Sequence, residues 1–191
     1  MKTFAIILFI FLNINISHAK NIKEAYFAGG CFWCMEDAFD KIDGVEEVIS
    51  GYSGGKLKNP TYKQVTYENT GHFETAKIIY DEDIIDYKHL LNYYWKNIDP
   101  FDSLGQFCDK GFSYRSVVFY KNKDEKNEIE KSIKDIEKKF KNKKVVTFIR
   151  SFKKFYPAED YHQNYYQENF VNYLLYKKAC GREKTLKEIW N

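Results

Sequence analysis

A chain of 191 residues has room for one well-cored domain and not for two comfortable ones, and its 44% hydrophobic and 18% aromatic content excludes a disordered polypeptide. The formal charge of +3 sets 30 basic against 27 acidic side chains, so no nucleic-acid partner is expected. Four cysteines leave metal, disulfide and thiol chemistry open.

In chain order, Lys2, the apolar run "FAIILFIFL" and a polar stretch ending Ser17-His18-Ala19 form the pattern of a secretory signal cleaved after Ala19. The run is shorter than the ~20 residues that span a bilayer, so stable membrane insertion is not expected. The mature protein is then 20–191, a single domain that is secreted or periplasmic, where disulfides are permitted. "EAYFAG" (24–29) reads as a buried strand ending in paired glycines. From Phe32 the apolar positions Phe32, Met35, Phe39 and Ile42 step at helical spacing until Gly44. "VEEVISGYSGG" suggests a second strand entering a glycine-rich loop, "SGGKLKNPTY". Alternation over 73–80 predicts a strand and 86–97 a helix with Tyr87, Leu91 and Tyr94 on one face. After the breaker-rich "IDPFDSLGQFCDKG" come a strand, "YRSVVFY", a lysine-rich amphipathic helix within 121–144 and a strand, "VVTFIR". The order β-α-β-β-α-β-α-β predicts an α+β fold, a two-layer sandwich with a ferredoxin-like split βαβ core. From Ser151 a long, irregular tyrosine-rich segment with one apolar helix, "YQENFVNYLLYKKA", is expected to wrap the sheet without extending it.

The pair Cys31 and Cys34 in "GGCFWCMED" admits three readings: a metal knuckle, a disulfide oxidoreductase, or a nucleophile with a recycling neighbour. Zinc needs a second pair, but Cys108 and Cys180 stand alone, and His18, His72, His89 and His162 keep no ligand spacing, so no metal is expected. A dithiol couple fits a strand-to-helix turn, although the bulky Phe32-Trp33 insert hinders a docking protein, and Gly-Gly suits a small ligand nearing the backbone. At a helix start Cys31 is expected to have a lowered pKa and to be nucleophilic; the bland reading is a small buried side chain. Alternation puts Glu74 on the same face as Ala76, Ile78 and Tyr80, opposite the wetter face of Lys77. A desolvated carboxyl there stays protonated and becomes a proton donor; a glutamate paired with a lysine is the equal alternative. Tyr62, Tyr114 and Asp109 lie in or beside loops, where functional residues concentrate, but sixteen tyrosines make position alone weak.

These residues fall within "GGCFWCME", "GYSGG", "NPTY", "TGHFE", "GQFCDKGFSYRS" and "FYPAEDYHQNY", and in that order the chain resembles the A-class peptide methionine sulfoxide reductases over about 24–166. The resemblance implies reduction of methionine S-sulfoxide, free or in proteins, and hence repair of oxidised proteins. It makes Cys31 the nucleophile and Phe32 with Trp33 the methyl pocket. Glu74 becomes the acid, and Tyr62, Tyr114 and Asp109 the partners of the sulfoxide oxygen. It implies no bound cofactor, a thioredoxin-type dithiol donor and a monomer. Position 34, glycine in many members, is cysteine here. Cys34 therefore ranks first as resolving thiol, Cys180 second and Cys108 third, with a structural role as the alternative for Cys108. The alternative function is a secreted dithiol carrier using Cys31 and Cys34.

Overall fold

The computed structural model describes residues 19–191; the expected leader lies outside the described residues except for Ala19. Strand β1 (Ile22–Ala28) turns through Gly29-Gly30 into α1 (Phe32–Phe39), and β2 (Val45–Ser53) follows. Gly30 has φ +83°, and a Cβ there would stand 2.6 Å from Cβ of Gln106; one on Gly29 would stand 2.5 Å from Sδ of Met35. A left-handed turn and close packing therefore require the glycines. The expectation that they admit a ligand to the backbone is corrected.

Helix α2 (Tyr62–Tyr67), which the sequence reading did not name, begins at the last residue of the glycine-rich loop. Thr61 Oγ1 accepts from the Gln64 N–H while Gln64 Oε1 accepts from the Thr61 N–H, a capping box that makes a six-residue helix viable. Strand β3 (Phe73–Asp81) and α3 (Tyr87–Lys96) come next, the latter capped by Asp86 as the polar start of 86–97 predicts. The breaker-rich loop contains a small hairpin, β4 (Gly105–Gln106) and β5 (Asp109–Lys110), then a 3₁₀ turn, Phe112–Tyr114. Strand β6 (Val117–Tyr120), helix α4 (Lys123–Lys139) and β7 (Phe148–Ser151) follow, then β8 (Phe155–Pro157), α5 (Tyr165–Glu168), α6 (Phe170–Cys180) and α7 (Arg182–Trp190).

Six strands make one sheet in the order β7-β6-β1-β3-β2-β8, antiparallel throughout except between β6 and β7. Alternation along β1 sends Ala25 and Phe27 into a core with Met35 and Phe39 of α1, Leu90 and Tyr94 of α3, and Ile129 and Ile136 of α4. Each large apolar side chain buried there stabilises the fold by about 1.5–3 kcal/mol before entropy is counted. The opposite residues of β1, Tyr26 and Ala28, face Phe73, Val117 and Phe119 under Phe148, Phe152 and Phe155. The mixed α/β architecture is thus as expected, with one correction. The C-terminal segment does extend the sheet, because β8 pairs with β2 at Tyr52↔Tyr156. Gly51 permits it: a Cβ there would stand 2.4 Å from the Phe155 ring.

Candidate active site

Cys31 is the N-cap of α1, and its carbonyl accepts from the Cys34 N–H at 3.1 Å. The Phe32 N–H, one of the helix's free donors, goes instead to Glu74 Oε2 at 3.1 Å. Glu74 is 2% exposed on β3, and its Oε1 is buried with no hydrogen-bond partner among the described residues. Burial pushes this carboxyl from an ordinary 4.5 up to about 8, the Phe32 N–H pulling the other way and the charges of Asp109 and Cys34 adding to the rise. At neutral pH it is mostly protonated. With Oε2 accepting from the backbone, Oε1 is the oxygen free to carry the proton.

Beside it is a cavity of about 80 Å³. That is several times what a single water needs, so the cavity admits a small group of a few heavy atoms. Cys31, Phe32 and Trp33 line it with Glu74, Tyr62, Tyr114 and Asp109, so the structure brings together the nucleophile, acid, aromatic and oxygen-binding candidates named from sequence. Cys34 is off the wall, packed with Cys31, Tyr166 and Tyr173 in a buried cluster. Cys180 is bonded to Cys108.

The thiols differ from the sequence expectation. Cys31 is 5% exposed, and burial pushes its pKa well up, the neighbouring Cys34 sulfur and Glu74 adding to this and the Tyr176 hydroxyl opposing it. Cys34 is held down to about 7, chiefly by the hydrogen bond it receives from Cys31, with Arg182 assisting and burial opposing. In the resting site the expected lowering of Cys31 is therefore overturned. The physical reason is that the helix start spends the Phe32 N–H on Glu74 and leaves the thiol desolvated.

Tyr62 and Tyr114 place their hydroxyl oxygens 3.4 Å apart. Burial pushes Tyr62 up to about 12 and raises Tyr114 as well, so both remain hydrogen-bond donors. Tyr62 is held by Glu159, whose Oε1 accepts from the Tyr62 N–H at 2.8 Å and whose Oε2 accepts from the Tyr52 hydroxyl at 2.8 Å. Burial also raises the Asp109 carboxyl, which accepts a hydrogen bond from the Tyr176 hydroxyl.

Sequence reasoning missed several contributors from the last forty residues. Tyr176 of α6 lines the cavity and meets Trp33 edge-on, centroids 6.2 Å apart at 87°. Tyr165 stacks on Trp33 at 3.8 Å and 12°. His162, kept neutral by burial, packs at 5.0 Å from Phe32 and 4.5 Å from Tyr62. The only available signal for Tyr176 was helical: Tyr173, Tyr176 and Cys180 step by three and four along one face.

The chain is 45% identical over 172 residues to the peptide methionine sulfoxide reductase MsrA of Limosilactobacillus reuteri, an overlap of 89% of this chain and 98% of that protein. It is also 45% identical over 172 residues to peptide methionine sulfoxide reductase MsrA 2 of Caulobacter vibrioides, covering 90% and 87% of the two chains. Among solved structures it is similar to Mxr1 from Saccharomyces cerevisiae in reduced form, with TM-score 0.73 and 30% identity over 78% of this chain and 86% of that one. Mxr1 in complex with Trx2 gives TM-score 0.54 and 24% identity over 80% and 90%. The family model described as peptide methionine sulfoxide reductase matches residues 23–191, and with these relatives it places the chain in that family, as an enzyme that reduces methionine sulfoxide.

Proposed function

We propose that the enzyme reduces the S epimer of methionine sulfoxide, free and in oxidised proteins, by an attack of Cys31 assisted by Glu74. The observation that carries this reading is the unpartnered, buried Oε1 of Glu74 on a cavity whose other walls include Cys31 and the aromatic pair Phe32 and Trp33. The substrate methyl group packs on the two aromatic rings, and the sulfoxide oxygen takes hydrogen bonds from Glu74, Tyr62 and Tyr114. Asp109 acts on that oxygen directly or through water.

The electrons balance in three steps. Cys31 attacks the sulfoxide sulfur while Glu74 protonates the oxygen, and the thiol proton returns to the Glu74 carboxylate. Methionine leaves as the hydroxyl passes to Cys31, giving a sulfenic acid. Cys34, whose thiol is held down to about 7, attacks the Cys31 sulfur, and its proton leaves with the hydroxyl as water, giving a Cys31–Cys34 disulfide. A thioredoxin-type dithiol then returns two electrons and two protons; the yeast relative in complex with Trx2 supports a donor of that kind.

The alternative of a dithiol carrier is disfavoured by the acid. Disulfide exchange needs no proton donor beside the attacking sulfur, and the buried, protonated Glu74 on the Cys31 cavity would have no role in it. Glu74→Gln separates the two readings, because only the reductase needs the acid. Secretion remains a proposal that rests on the leader pattern, and among the described residues no helix is long and apolar enough to cross a membrane. N-terminal sequencing of the protein from its native host should start at Lys20; recovery of Met1 would refute cleavage.

A further inference from the structure

The second cysteine pair has no step in the chemistry above, yet it lies against the site. Cys108 and Cys180 are bonded across 72 residues, and the Cys108 N–H points to the Cys180 sulfur at 3.2 Å. Cys108 immediately precedes Asp109 of β5, and Cys180 ends α6 four residues beyond Tyr176, on the same helix face. The Tyr176 hydroxyl donates to Asp109. Disulfide and hydrogen bond are therefore two ties between the same two segments, one of them covalent.

Neither segment is strongly packed beside these ties: Gln106 anchors β4, fully buried and hydrogen-bonded to Asp99, but β5 is half-buried to exposed. Strands β4 and β5 have two residues each, too short to be stable alone. Helix α6 buries one side chain, Tyr173, and leaves Phe170, Val171, Leu174 and Leu175 exposed by half or more. Its other anchors are polar: Tyr173 donates to Asp37 at 2.8 Å and Lys177 reaches the same carboxylate at 2.9 Å. Two weakly packed pieces must nevertheless put Asp109 and Tyr176 on one small cavity. A bond between their flanks supplies the missing constraint.

We propose that the Cys108–Cys180 disulfide is a positioning element of the active site, which holds Asp109 of the hairpin and Tyr176 of α6 in register on the Cys31 cavity and stays closed through turnover. Cys108 and Cys180 touch no substrate; they act through Asp109 and Tyr176. Cys34 is then the resolving thiol, and Cys180 is withdrawn from that role. The proposal rests on the sulfoxide-reduction reading and adds a requirement to it.

The test is single-turnover reduction of methionine S-sulfoxide without external reductant, on the wild type and on the double variant Cys108→Ser, Cys180→Ser. Both should release one methionine per chain, since Cys31 and Cys34 supply the electrons. The double variant should need about fivefold to tenfold more substrate for half-saturation, the scale of one weakened hydrogen bond, with its saturated rate little changed. Adding Tyr176→Phe to the double variant should cost less than Tyr176→Phe costs the wild type, because both changes loosen one contact. Unchanged half-saturation in the double variant, or full additivity, overturns the proposal. No methionine from the wild type would instead sink the reduction reading itself. Peptide mapping of the wild type after turnover decides independently of how well the variant folds. Cys108–Cys180 should persist beside a new Cys31–Cys34 bond, and a link from Cys180 to Cys31 or Cys34 refutes it.

Discussion

Replacing Glu74 by glutamine should slow the chemical step severely and yet make the protein more stable at neutral pH. A glutamine fits the site. Its carbonyl oxygen can accept the Phe32 N–H that Glu74 Oε2 accepts at 3.1 Å, and its amide occupies the position of the buried Oε1. What disappears is the transferable proton. Loss of a positioned general acid costs about 100- to 10,000-fold in rate. For stability the sign follows from the direction of the shift. Glu74 titrates near 8 when folded against an ordinary 4.5, so folding favours its protonated form. The folded state carries no penalty below pH 4.5, and the penalty grows by roughly 1.4 kcal/mol per unit as pH rises toward 8, reaching about 3 kcal/mol at pH 7. Glutamine carries none of it. Urea denaturation of both proteins at pH 4 and pH 7, with single-turnover rates at pH 7, measures both halves. The wild-type rate should also fall as pH rises through about 8, because the acid is lost there. A Gln variant with wild-type turnover, or one whose stability relative to wild type does not improve from pH 4 to pH 7, would refute the reasoning.

Three further outcomes follow from the same geometry. Cys34→Ser should still release about one methionine per chain, since that step uses Cys31 alone, but stop at a sulfenic acid trappable with dimedone and recycle poorly with thioredoxin. In the wild type, the rate of disulfide formation after the burst should rise with pH through about 7, where Cys34 becomes thiolate. Gly30→Ala should destabilise the fold by about 1–3 kcal/mol in urea, because it forces a side chain to φ +83° within 2.6 Å of Gln106. Opening the Cys108–Cys180 link should lower stability by about 4 kcal/mol on the chain-entropy scale for a loop of 72 residues, measured by denaturation of the double serine variant.

Much of the site was legible because it follows local rules. Two glycines before a helical apolar pattern put Cys31 at a helix start, and alternation along β3 put Glu74 on one face with buried Ala76 and Ile78, although the other face is buried as well at Phe73 and Thr75. Both inferences need only the periods of helix and strand. The ionisation of Cys31 was not legible, because it depends on which group takes the Phe32 N–H, and that group comes from β3, 42 residues away. The tail was least legible. Strand β8 has three residues ending in Pro157, too few to show alternation, and its pairing depends on Gly51 in a distant strand. Tyr176, Tyr165 and His162 belong to a segment whose many tyrosines look alike until their neighbours are known. The pairing of Cys108 with Cys180 likewise joins positions that no local pattern relates.

The central claim is that Cys31 takes the sulfoxide oxygen and Cys34 resolves it. Mass-spectrometric peptide mapping of the fully reduced Cys31 and Cys34 couple after one turnover with each sulfoxide epimer tests it most directly. The S epimer should yield one methionine per chain and a Cys31–Cys34 disulfide, while the R epimer should leave both thiols free. Equal reaction of both epimers, or an oxidised product in which Cys31 and Cys34 are not bonded to each other, would contradict it.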